Sequence, residues 1–377
     1  MKEYIIRMVG DNLLHKQVYE AAFDGQTYRF DGIFEHVEPL IREADLSVIN
    51  QETILVPDRD DISSFPRFGS PAEIGDAIAK AGFRVVLHAT NHSLDKKVRG
   101  IRNDIDFWQQ QHPEVMMLGL HSSGKDAGKI RTVKIDDLTI ALLNYSEKMN
   151  YIMMPAGRPY VVDRMRKRDM KRIRGQIAKA GELADLVIVF PHWGCEYMYE
   201  PVRSQKKWAL FFAECGADMI IGTHPHVVQY NEVINTTDGR QVPCLYSLGN
   251  FVSCQVLPGT CLGAMADVRI RIEDDGKVSC SAEMIPLVTH TDSKYSYFTV
   301  YPLDQYTDEL AAENRIFTLM QKRYGGDRMD KELLYALFED IINRRAGEKA
   351  YFRKPLDVSK YNTRAVISAI CGTNARD

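Results

Sequence analysis

The stretch that decides the fold, residues 183–229, reads LADLVIVFPHWGCEYMYEPVRSQKKWALFFAECGADMIIGTHPHVVQ. Its first apolar run, residues 183–190, is rich in Val, Ile and Leu without alternation, which is typical of a parallel strand buried on both faces. An apolar stripe at helical spacing follows, made of Trp208, Phe211, Phe212 and Cys215. Gly216 is placed to end that helix, and residues 218–222 predict a second strand. The stretch therefore predicts a strand-helix-strand unit.

Three histidines follow the two apolar runs. His192 comes directly after the first run, and His224 and His226 come after the second. Parallel strands in an α/β sheet end at one edge, where ligands commonly bind. A lone histidine at such a place is usually an ordinary loop residue, and that reading stays open for each of the three. An HxH pair beside a third histidine, at equivalent places on consecutive strands, favours metal binding.

The composition limits the function classes. The chain has 48 basic and 51 acidic residues and a net charge of −3, so no global basic field points to nucleic acid as a partner. It contains no run of about 18 apolar residues and no apolar leader before its first predicted strand, so we expect no membrane contact. Its seven cysteines form no CxxC pair, which argues against a zinc knuckle and against a disulfide framework. We therefore expect a cytoplasmic protein with reduced thiols.

The length of 377 residues allows two or three domains, or one large α/β domain with an appendage. After about residue 304 the pattern changes to apolar residues at helical spacing. They are Ile316, Leu319 and Met320, then Leu333, Leu334, Leu337 and Phe338. We predict an α/β domain over residues 1–300 and a C-terminal helical extension over residues 301–377.

Polar side chains also follow three earlier predicted strands, at residues 4–9, 46–49 and 84–87. These side chains are Asp11, Glu52, Asn91 and His92. Taken with the three histidines, they form a set of oxygen and nitrogen donors that suits Mn, Fe or Zn. Seven donors are too many for one ion. Two ions about 3.5–4 Å apart, sharing a carboxylate, would use most of them and would activate water for attack on a phosphoryl or carbonyl centre.

Two local signals predict details around this set. Ser70, Pro71 and Glu73 match a helix capping box with proline at the first helical position. Gly249 and Asn250 follow a predicted strand at residues 242–247, where a tight turn could bring backbone amides close to the site, although a plain turn fits equally well.

The segments GDNLL, NQET, TNHSLD, PHWGCEY, GADMIIGTHPHVVQ and YSLGNF occur in this order over residues 4–252. In this series the chain resembles the CapA-type capsule and poly-γ-glutamate synthesis family, which is related to the calcineurin-like metallophosphoesterases. The resemblance implies a four-layer α/β/β/α sandwich, with two sheets between helices and a two-metal site at the strand ends.

The resemblance also implies a role for each strand-end residue. It implies that the first metal is bound by Asp11, Glu52 and His226. It implies that the second metal is bound by Glu52, Asn91, His192 and His224, with Glu52 as the bridge. The cofactor would be two divalent transition-metal ions, with Mn preferred to Fe or Zn. His92 would protonate the leaving group as a general acid.

Two departures from the family pattern affect the site. The related phosphoesterases have a histidine two residues after their first aspartate, where this chain has Leu13; His15 is a nearby substitute. An aromatic-arginine pair is common in the family, and here the order is reversed, Arg67 before Phe68. The residues expected to contact an anionic substrate are Arg67, Trp193, Tyr197 and Asn250, although Trp193 and Tyr197 also fit simple packing.

Two functions from different classes follow. The first is a metal-dependent hydrolase that cleaves an amide, such as a γ-glutamyl linkage, or a phosphoester in an anionic small molecule or polymer. The second is a non-catalytic binding or assembly protein that uses the same cleft to hold an anionic polymer such as poly-γ-glutamate. Both fit the same fold, because a fold does not determine a function.

Overall fold

The computed structural model describes residues 2–257, 259–274, 278–325 and 328–343. The strands within these ranges are β1 Lys2–Asn12, β2 Leu46–Gln51, β3 Leu55–Val56, β4 Ser70–Pro71, β5 Val85–Leu87, β6 Met116–Leu118, β7 Arg131–Ile135, β8 Leu138–Ser146, β9 Leu186–His192, β10 Met219–Ile221, β11 Val228–Asn235, β12 Gln241–Leu248, β13 Asn250–Val252, β14 Leu262–Ile272, β15 Val278–Thr291 and β16 Phe298–Pro302. The helices are α1 Lys16–Ala22, α2 Asp31–Phe34, α3 Glu38–Glu43, α4 Glu73–Ala81, α5 Lys97–Gln111, α6 Gly124–Ala127, α7 Met170–Leu183, α8 Arg203–Cys215, α9 Asp308–Glu313, α10 Arg315–Tyr324 and α11 Lys331–Ile342.

Two large sheets organise the chain. The first sheet has the order β16-β15-β14-β1-β2-β5-β6, and β13 also pairs with β1. The second sheet has the order β11-β12-β10-β9-β8-β7. In each sheet the central strands are parallel: β1, β2, β5 and β6 in the first, and β8, β9, β10 and β12 in the second. Their carboxyl ends therefore meet at one edge of each sheet.

The two sheets pack face to face, with helices on the outside. Along β8, Ile140 and Leu142 belong to the apolar cluster shared with the first sheet, whereas Ala141 and Leu143 belong to the cluster beneath α7 and α8. This alternation explains why the central strands are apolar on both faces. On the other side of the molecule, α3 contacts β1 and α5 contacts β6. The predicted four-layer α/β/β/α architecture is confirmed.

The described C-terminal helices pack on the side of the sandwich formed by β11 and β15. Helix α10 contacts β15, and α11 contacts β11. Their buried side chains join the apolar cluster between the sheets: Ile316, Phe317, Met320, Leu334, Leu337, Phe338 and Ile341. The predicted helices after residue 304 are thus present, while the domain boundary between residues 300 and 301 stays a prediction. The rest of the predicted extension, residues 344–377, lies outside the described residues.

Most predicted elements are present with shifted ends. The strand predicted at residues 183–190 begins at Leu186, because Leu183 still belongs to α7. Helix α8 ends as expected, with Gly216 in a left-handed conformation at φ 112°. Among the described helices, none combines the length and the apolar character needed to span a membrane. The cytoplasmic location stays a prediction.

The predicted capping box before α4 is wrong. The helix begins at Glu73 after Ala72, without a side-chain cap. Ser70 instead extends the chain as part of β4, where its amide donates to the Ile54 carbonyl oxygen at 2.9 Å and its hydroxyl lies 2.6 Å from that of Thr53. The Ser70 hydroxyl, which a capping box would direct toward the helix, therefore contacts the segment after β2 instead.

A buried carboxyl group anchors α5 to β3. The Leu55 amide donates to Asp104 Oδ2 at 3.0 Å, while Oδ1 lies 3.4 Å from His88 Nε2 and has no hydrogen-bond partner among the described residues. Burial raises the pKa of Asp104 to about 8. In the folded protein this group therefore keeps a proton that the unfolded chain releases above about pH 4.

The Asp104→Asn variant is expected to remove a pH dependence of stability. Because the folded state alone holds the Asp104 proton between about pH 4 and about pH 8, the free energy of unfolding of the wild type should fall through this range, by at most about 1.4 kcal/mol per pH unit. Asparagine does not titrate, so the variant should gain stability relative to the wild type from pH 5 to pH 8. Urea denaturation at several pH values measures this. The exposed Asp106→Asn is the control, and parallel curves for the Asp104 variant and the wild type would contradict the assignment.

Strand β1 approaches the turn after β12 very closely. The Asp11 amide donates to the Gly249 carbonyl oxygen at 2.9 Å, and Gly249 has a left-handed φ of 65°. A Cβ atom on Gly10 would lie 1.9 Å from the same carbonyl oxygen. The turn therefore presents a carbonyl group to β1, and the absence of a side chain at residue 10 lets this contact fix the position of Asp11.

We expect Gly10→Ala to be destabilising. The added methyl group would overlap the Gly249 carbonyl oxygen, so the free energy of unfolding should fall by about 1–3 kcal/mol. Gly175→Ala is the matched control, because its Cβ would meet no atom within 4 Å on α7, and alanine there should stabilise by about 0.5–1 kcal/mol. Chemical denaturation of both variants measures the difference, and equal stability of the two would refute the close contact.

Candidate metal centre

The strand-end residues lie together in the structure. Asp11 lies near the end of β1, Glu52 directly follows β2, and Asn91 and His92 follow β5 in the same sheet. In the second sheet, His192 ends β9, and His224 and His226 follow β10. All seven side chains are buried, the most exposed being His92 at 6%. Donors separated by more than two hundred positions in the sequence therefore meet between the carboxyl ends of the two sheets.

Glu52 lies at the centre of this group. Its Oε1 atom lies 3.6 Å from His192 Nε2 and 3.9 Å from His92 Nε2, and its Oε2 atom lies 3.7 Å from His226 Nδ1. Two donor sets share this carboxylate, each with ligand atoms within 4.8 Å of one another. They are Asp11, Glu52 and His226, and Glu52, His192 and His224. This is the arrangement expected of a carboxylate that bridges two ions.

Buried polar atoms without partners show that the donors fit a metal ion. Both oxygens of Glu52 and both ring nitrogens of His224 are buried and have no hydrogen-bond partner within the described part of the chain. Buried polar groups in proteins are almost always hydrogen-bonded or bound to a metal. A carboxylate and imidazoles suit a divalent transition metal. The structure thus presents free ligand atoms where the strand-end pattern predicts them.

Protonation states within the cluster differ. Burial lowers the pKa of His192 and of His224 well below the usual value, which keeps these imidazoles neutral and able to bind a metal. Burial also raises the pKa of Glu52. For His226, burial alone would lower the pKa, but the charge of Glu52 and the contact with Asp11 outweigh it and raise the pKa to about 10.

Hydrogen bonds orient the donors. Asp11 Oδ1 accepts from Asn50 Nδ2 at 2.8 Å, and its Oδ2 lies 3.0 Å from His226 Nδ1. Asn91 Oδ1 lies 2.9 Å from His192 Nε2, so its amide oxygen faces the cluster. Such outer contacts fix the rotamers of metal ligands.

The THPH loop holds its histidines in uncommon backbone conformations. His224 has φ 98° and His226 has φ 61°, in the left-handed region that residues other than glycine rarely adopt. The His224 amide points to Asp11, with both carboxylate oxygens at 3.3 Å. Strained backbone of this kind is concentrated at functional sites. This contact with Asp11 helps to place both imidazoles.

The candidate general acid, His92, lies beside the donor cluster. Its Nδ1 atom is 2.6 Å from Asp95 Oδ2, which also accepts from the Phe68 amide at 2.7 Å. The ring of Phe68 packs edge-on against the imidazole, with centroids 4.7 Å apart. The side-chain amide of Asn150 lies 3.2 Å from Nδ1. The other ring nitrogen, Nε2, lies 3.9 Å from Glu52 Oε1 and 3.3 Å from the side-chain amide nitrogen of Asn150.

Two carboxylates and one amide at the site were not predicted from the sequence. Glu196 forms a third donor set with His224 and His226, and Asp95 orients His92. Both occur inside quoted motifs, PHWGCEY and TNHSLD, so the motifs contained a signal for them. Asn150, which accepts from Asn91 Nδ2 at 3.0 Å, lies in a loop outside every motif.

The residues expected to contact substrate occupy different places. Tyr197 lies at the site, with its ring centroid 5.9 Å from that of His226. Arg67 is exposed on the loop that carries Phe68. Asn250 is buried, with Oδ1 3.1 Å from His226 Nδ1, so it orients the imidazole and does not face the cleft opening.

Trp193 lies away from the donor cluster. It is fully buried in the apolar cluster beneath α7 and α8, and its indole donates to the Tyr246 carbonyl oxygen at 2.9 Å. It packs on the face of the second sheet that is turned away from the first sheet. This placement fits the packing interpretation, and contact between Trp193 and a substrate stays a prediction.

The position of the missing histidine is apolar in this chain. Leu13 is buried, and the cluster has no imidazole in its place among the described residues. His15 does not substitute in this structure, because its Nδ1 atom accepts from the Cys254 amide at 3.3 Å and it belongs to none of the donor sets. Burial lowers the pKa of His15 to about 3.

Comparisons with solved structures give low similarity. A putative 5'-nucleotidase from Staphylococcus aureus, solved with alpha-ketoglutarate, has a TM-score of 0.46 at 13% identity, over 76% of this chain and 54% of that one. A hypothetical protein from Thermus thermophilus has a TM-score of 0.41 at 14% identity, over 74% of this chain and 99% of that one. A dimetal phosphatase from Danio rerio has a TM-score of 0.29 at 11% identity, over 56% and 88% of the respective chains. All three TM-scores lie below 0.5.

Sequence comparisons give the family. The chain is similar to the PGA biosynthesis protein CapA of Bacillus subtilis (strain 168), at 27% identity over 266 residues and 69% of this chain. It is similar to the capsule biosynthesis protein CapA of Bacillus anthracis, at 28% identity over 290 residues and 74% of this chain. The matched part spans 66% of the length of each relative. The profile of the family described as "Bacterial capsule synthesis protein PGA_cap" matches residues 5–255, which contain every donor described above. The chain therefore belongs to this family of bacterial capsule synthesis proteins.

Proposed function

We propose that this protein is a metal-dependent hydrolase that acts on an anionic substrate of capsule or poly-γ-glutamate metabolism. The bond cleaved would be an amide, such as a γ-glutamyl linkage, or a phosphoester. The observation that supports this most directly is the buried Glu52 carboxylate, whose two oxygens lack hydrogen-bond partners in the described chain and face imidazoles on both sides. The names of the two CapA relatives supply the substrate class.

The donor sets assign the residues that would hold two divalent ions. Asp11, Glu52 and His226 would hold one, and Glu52, Asn91, His192 and His224 would hold the other. Mn, Fe or Zn suits this mixture of carboxylate, amide and imidazole ligands, and we propose Mn first. When bound, the ions supply a water of lowered pKa and positive charge that stabilises an anionic transition state.

The chain's own groups would complete the reaction. Asp95 fixes His92 through Nδ1 and leaves the Nε2 side directed into the cleft, where it would donate a proton to the leaving group. Burial of the cluster excludes bulk water and strengthens electrostatic interactions within it. Tyr197, whose ring lies beside that of His226, and Arg67, which is exposed next to Phe68, would contact the remainder of the substrate.

One observation favours the alternative, a non-catalytic protein that holds an anionic polymer. Leu13 leaves the first donor set with three side chains, so an ion there would be held less tightly than in a site with a further imidazole. The second donor set does not depend on residue 13. Metal stoichiometry and turnover therefore distinguish the two functions.

Metal binding is the first test. We expect two Mn²⁺ ions per chain by isothermal titration and elemental analysis, and we expect Glu52→Gln to weaken both sites because both donor sets include this carboxylate. Mn²⁺ at 100 times its dissociation constant should raise the free energy of unfolding of the wild type by about 2.7 kcal/mol for each site that it fills. His112→Ala is the control, because this histidine lies at the end of α5 with Asp76 and Glu114 as its partners. No Mn²⁺ bound after supplementation would favour the non-catalytic alternative.

Turnover is the second test, with γ-glutamyl peptides and generic phosphodiesters as substrates in the presence of Mn²⁺. His192→Ala and His224→Ala should abolish activity while unfolding stays cooperative, because each variant removes a proposed ligand. His92→Asn should lower kcat by about 10²–10⁴-fold with Mn²⁺ affinity unchanged, since the proton donor is lost and the ligands remain. Turnover that persists in both alanine variants would exclude the proposed mechanism.

A further inference from the structure

The loop at residues 253–257 separates the metal centre from a second cavity. On one side, Gln255 accepts from Asn250 Nδ2 at 2.9 Å and donates to the Tyr197 hydroxyl at 3.1 Å, so its side chain belongs to the cluster. Its two neighbours, Cys254 and Val256, line the cavity on the other side. Successive side chains of this short segment thus point alternately toward the cavity and toward the metal centre.

The cavity is large enough for a ligand. Its volume is about 500 Å³, within the range of about 300–1,000 Å³ typical of small-molecule sites. Cys254, Val256 and Leu319 give it an apolar surface, and Lys322 and Arg323 of α10 give it two cations. The cavity therefore combines apolar packing with positive charge.

The two cations are available to a ligand. Lys322 and Arg323 are exposed, and neither forms an ion pair with a carboxylate in the described ranges of the chain. None of the described residues that line the cavity is acidic. Unpaired adjacent cations beside an apolar wall favour an anion that carries several charges along a chain.

A series of contacts also links the wall of the cavity to the candidate general acid, His92. The Cys254 amide donates to His15 Nδ1 at 3.3 Å, and the His15 ring packs edge-on against Phe68, with centroids 5.4 Å apart. Phe68 in turn contacts His92. Two side chains, those of His15 and Phe68, thus lie between this wall of the cavity and His92.

We propose that this cavity is a second subsite, in which Lys322 and Arg323 bind carboxylates of a polyanionic substrate whose cleaved bond lies at the metal centre. The proposal rests on the proposed function for the position of the cleaved bond, but the subsite itself does not need turnover. Helix α10 lies outside residues 5–255, which match the family. The subsite therefore assigns to the C-terminal helices a part in substrate recognition.

A binding experiment without metal separates this proposal from the proposed function. The probe is a fluorescently labelled γ-linked glutamate decamer, and its dissociation constant is measured by fluorescence anisotropy on EDTA-treated full-length protein. Low ionic strength is used because salt screens exposed charges. The double variant Lys322→Glu, Arg323→Glu is expected to bind about tenfold more weakly than the wild type. The control with the same charge change is Lys171→Glu, Lys179→Glu on the outer face of α7, and it should bind as the wild type does.

A third variant locates the binding site. Leu319→Trp would fill the cavity without changing the charge, and it should also weaken binding. The proposal is overturned if the double variant of Lys322 and Arg323 binds the decamer as tightly as the wild type does. It is also overturned if the α7 control variant binds the decamer as weakly as that double variant does. Weakening by charge reversal without any effect of Leu319→Trp also overturns it, because the polymer would then bind to the outside of α10. If the wild-type protein binds the decamer but shows no turnover with Mn²⁺ present, the proposed hydrolase function is rejected and the proposed subsite is not.

Discussion

The buried carboxylate of Glu52 is the constraint on which the site depends. An ionised carboxylate in the interior is costly unless a positive charge or hydrogen-bond donors surround it. In the described chain both of its oxygens lack hydrogen-bond donors, and the nearest groups are imidazole nitrogens at 3.6–3.9 Å. Two of those imidazoles, His192 and His226, come from the opposite sheet. A cation bound between the Glu52 carboxylate and these imidazoles would therefore stabilise the junction of the two sheets as well as the site.

The two sheets can hold the buried Glu52 and the imidazoles around it because polar side chains link the ends of neighbouring strands. Thr90 Oγ1 donates to the Glu52 carbonyl oxygen at 2.8 Å, which ties the end of β2 to the segment after β5. His192 Nδ1 lies 3.0 Å from Thr223 Oγ1, which ties the end of β9 to the loop after β10. The backbone of Glu52 and the imidazole of His192 are thus each held by a residue that follows the neighbouring strand. This reduces the freedom that would otherwise be lost when an ion binds.

The strand-end pattern could be predicted from the sequence because the buried parallel strands are continuous apolar runs, and their carboxyl ends share one edge. The capping box at Ser70 was wrong because the sequence did not show that the segment after β2 would pair there. Trp193 directly follows His192, and because successive residues of a strand point to opposite faces, its side chain lies in the apolar cluster beneath α7 and α8. Asn150 had no signal, because a loop contact between residues 58 positions apart has no periodicity.

The segment that matches the family does not form the first sheet alone. Strand β1, which carries Asp11, is paired with β2 on one side and with β14 on the other over residues 2–9. Strands β14, β15 and β16 all lie beyond residue 255. Without β14, residues 2–9 of β1 would be an open edge, whereas Asp11 and Asn12 would keep their pairing with β13 inside the matched segment. Gly263 of β14 also lies against the Asn250 carbonyl oxygen, where a Cβ atom would be 1.9 Å away. The strands outside the matched segment therefore support the part of β1 that leads to Asp11 and the turn that orients His226, so the geometry of the site depends on them as well as on its own ligands.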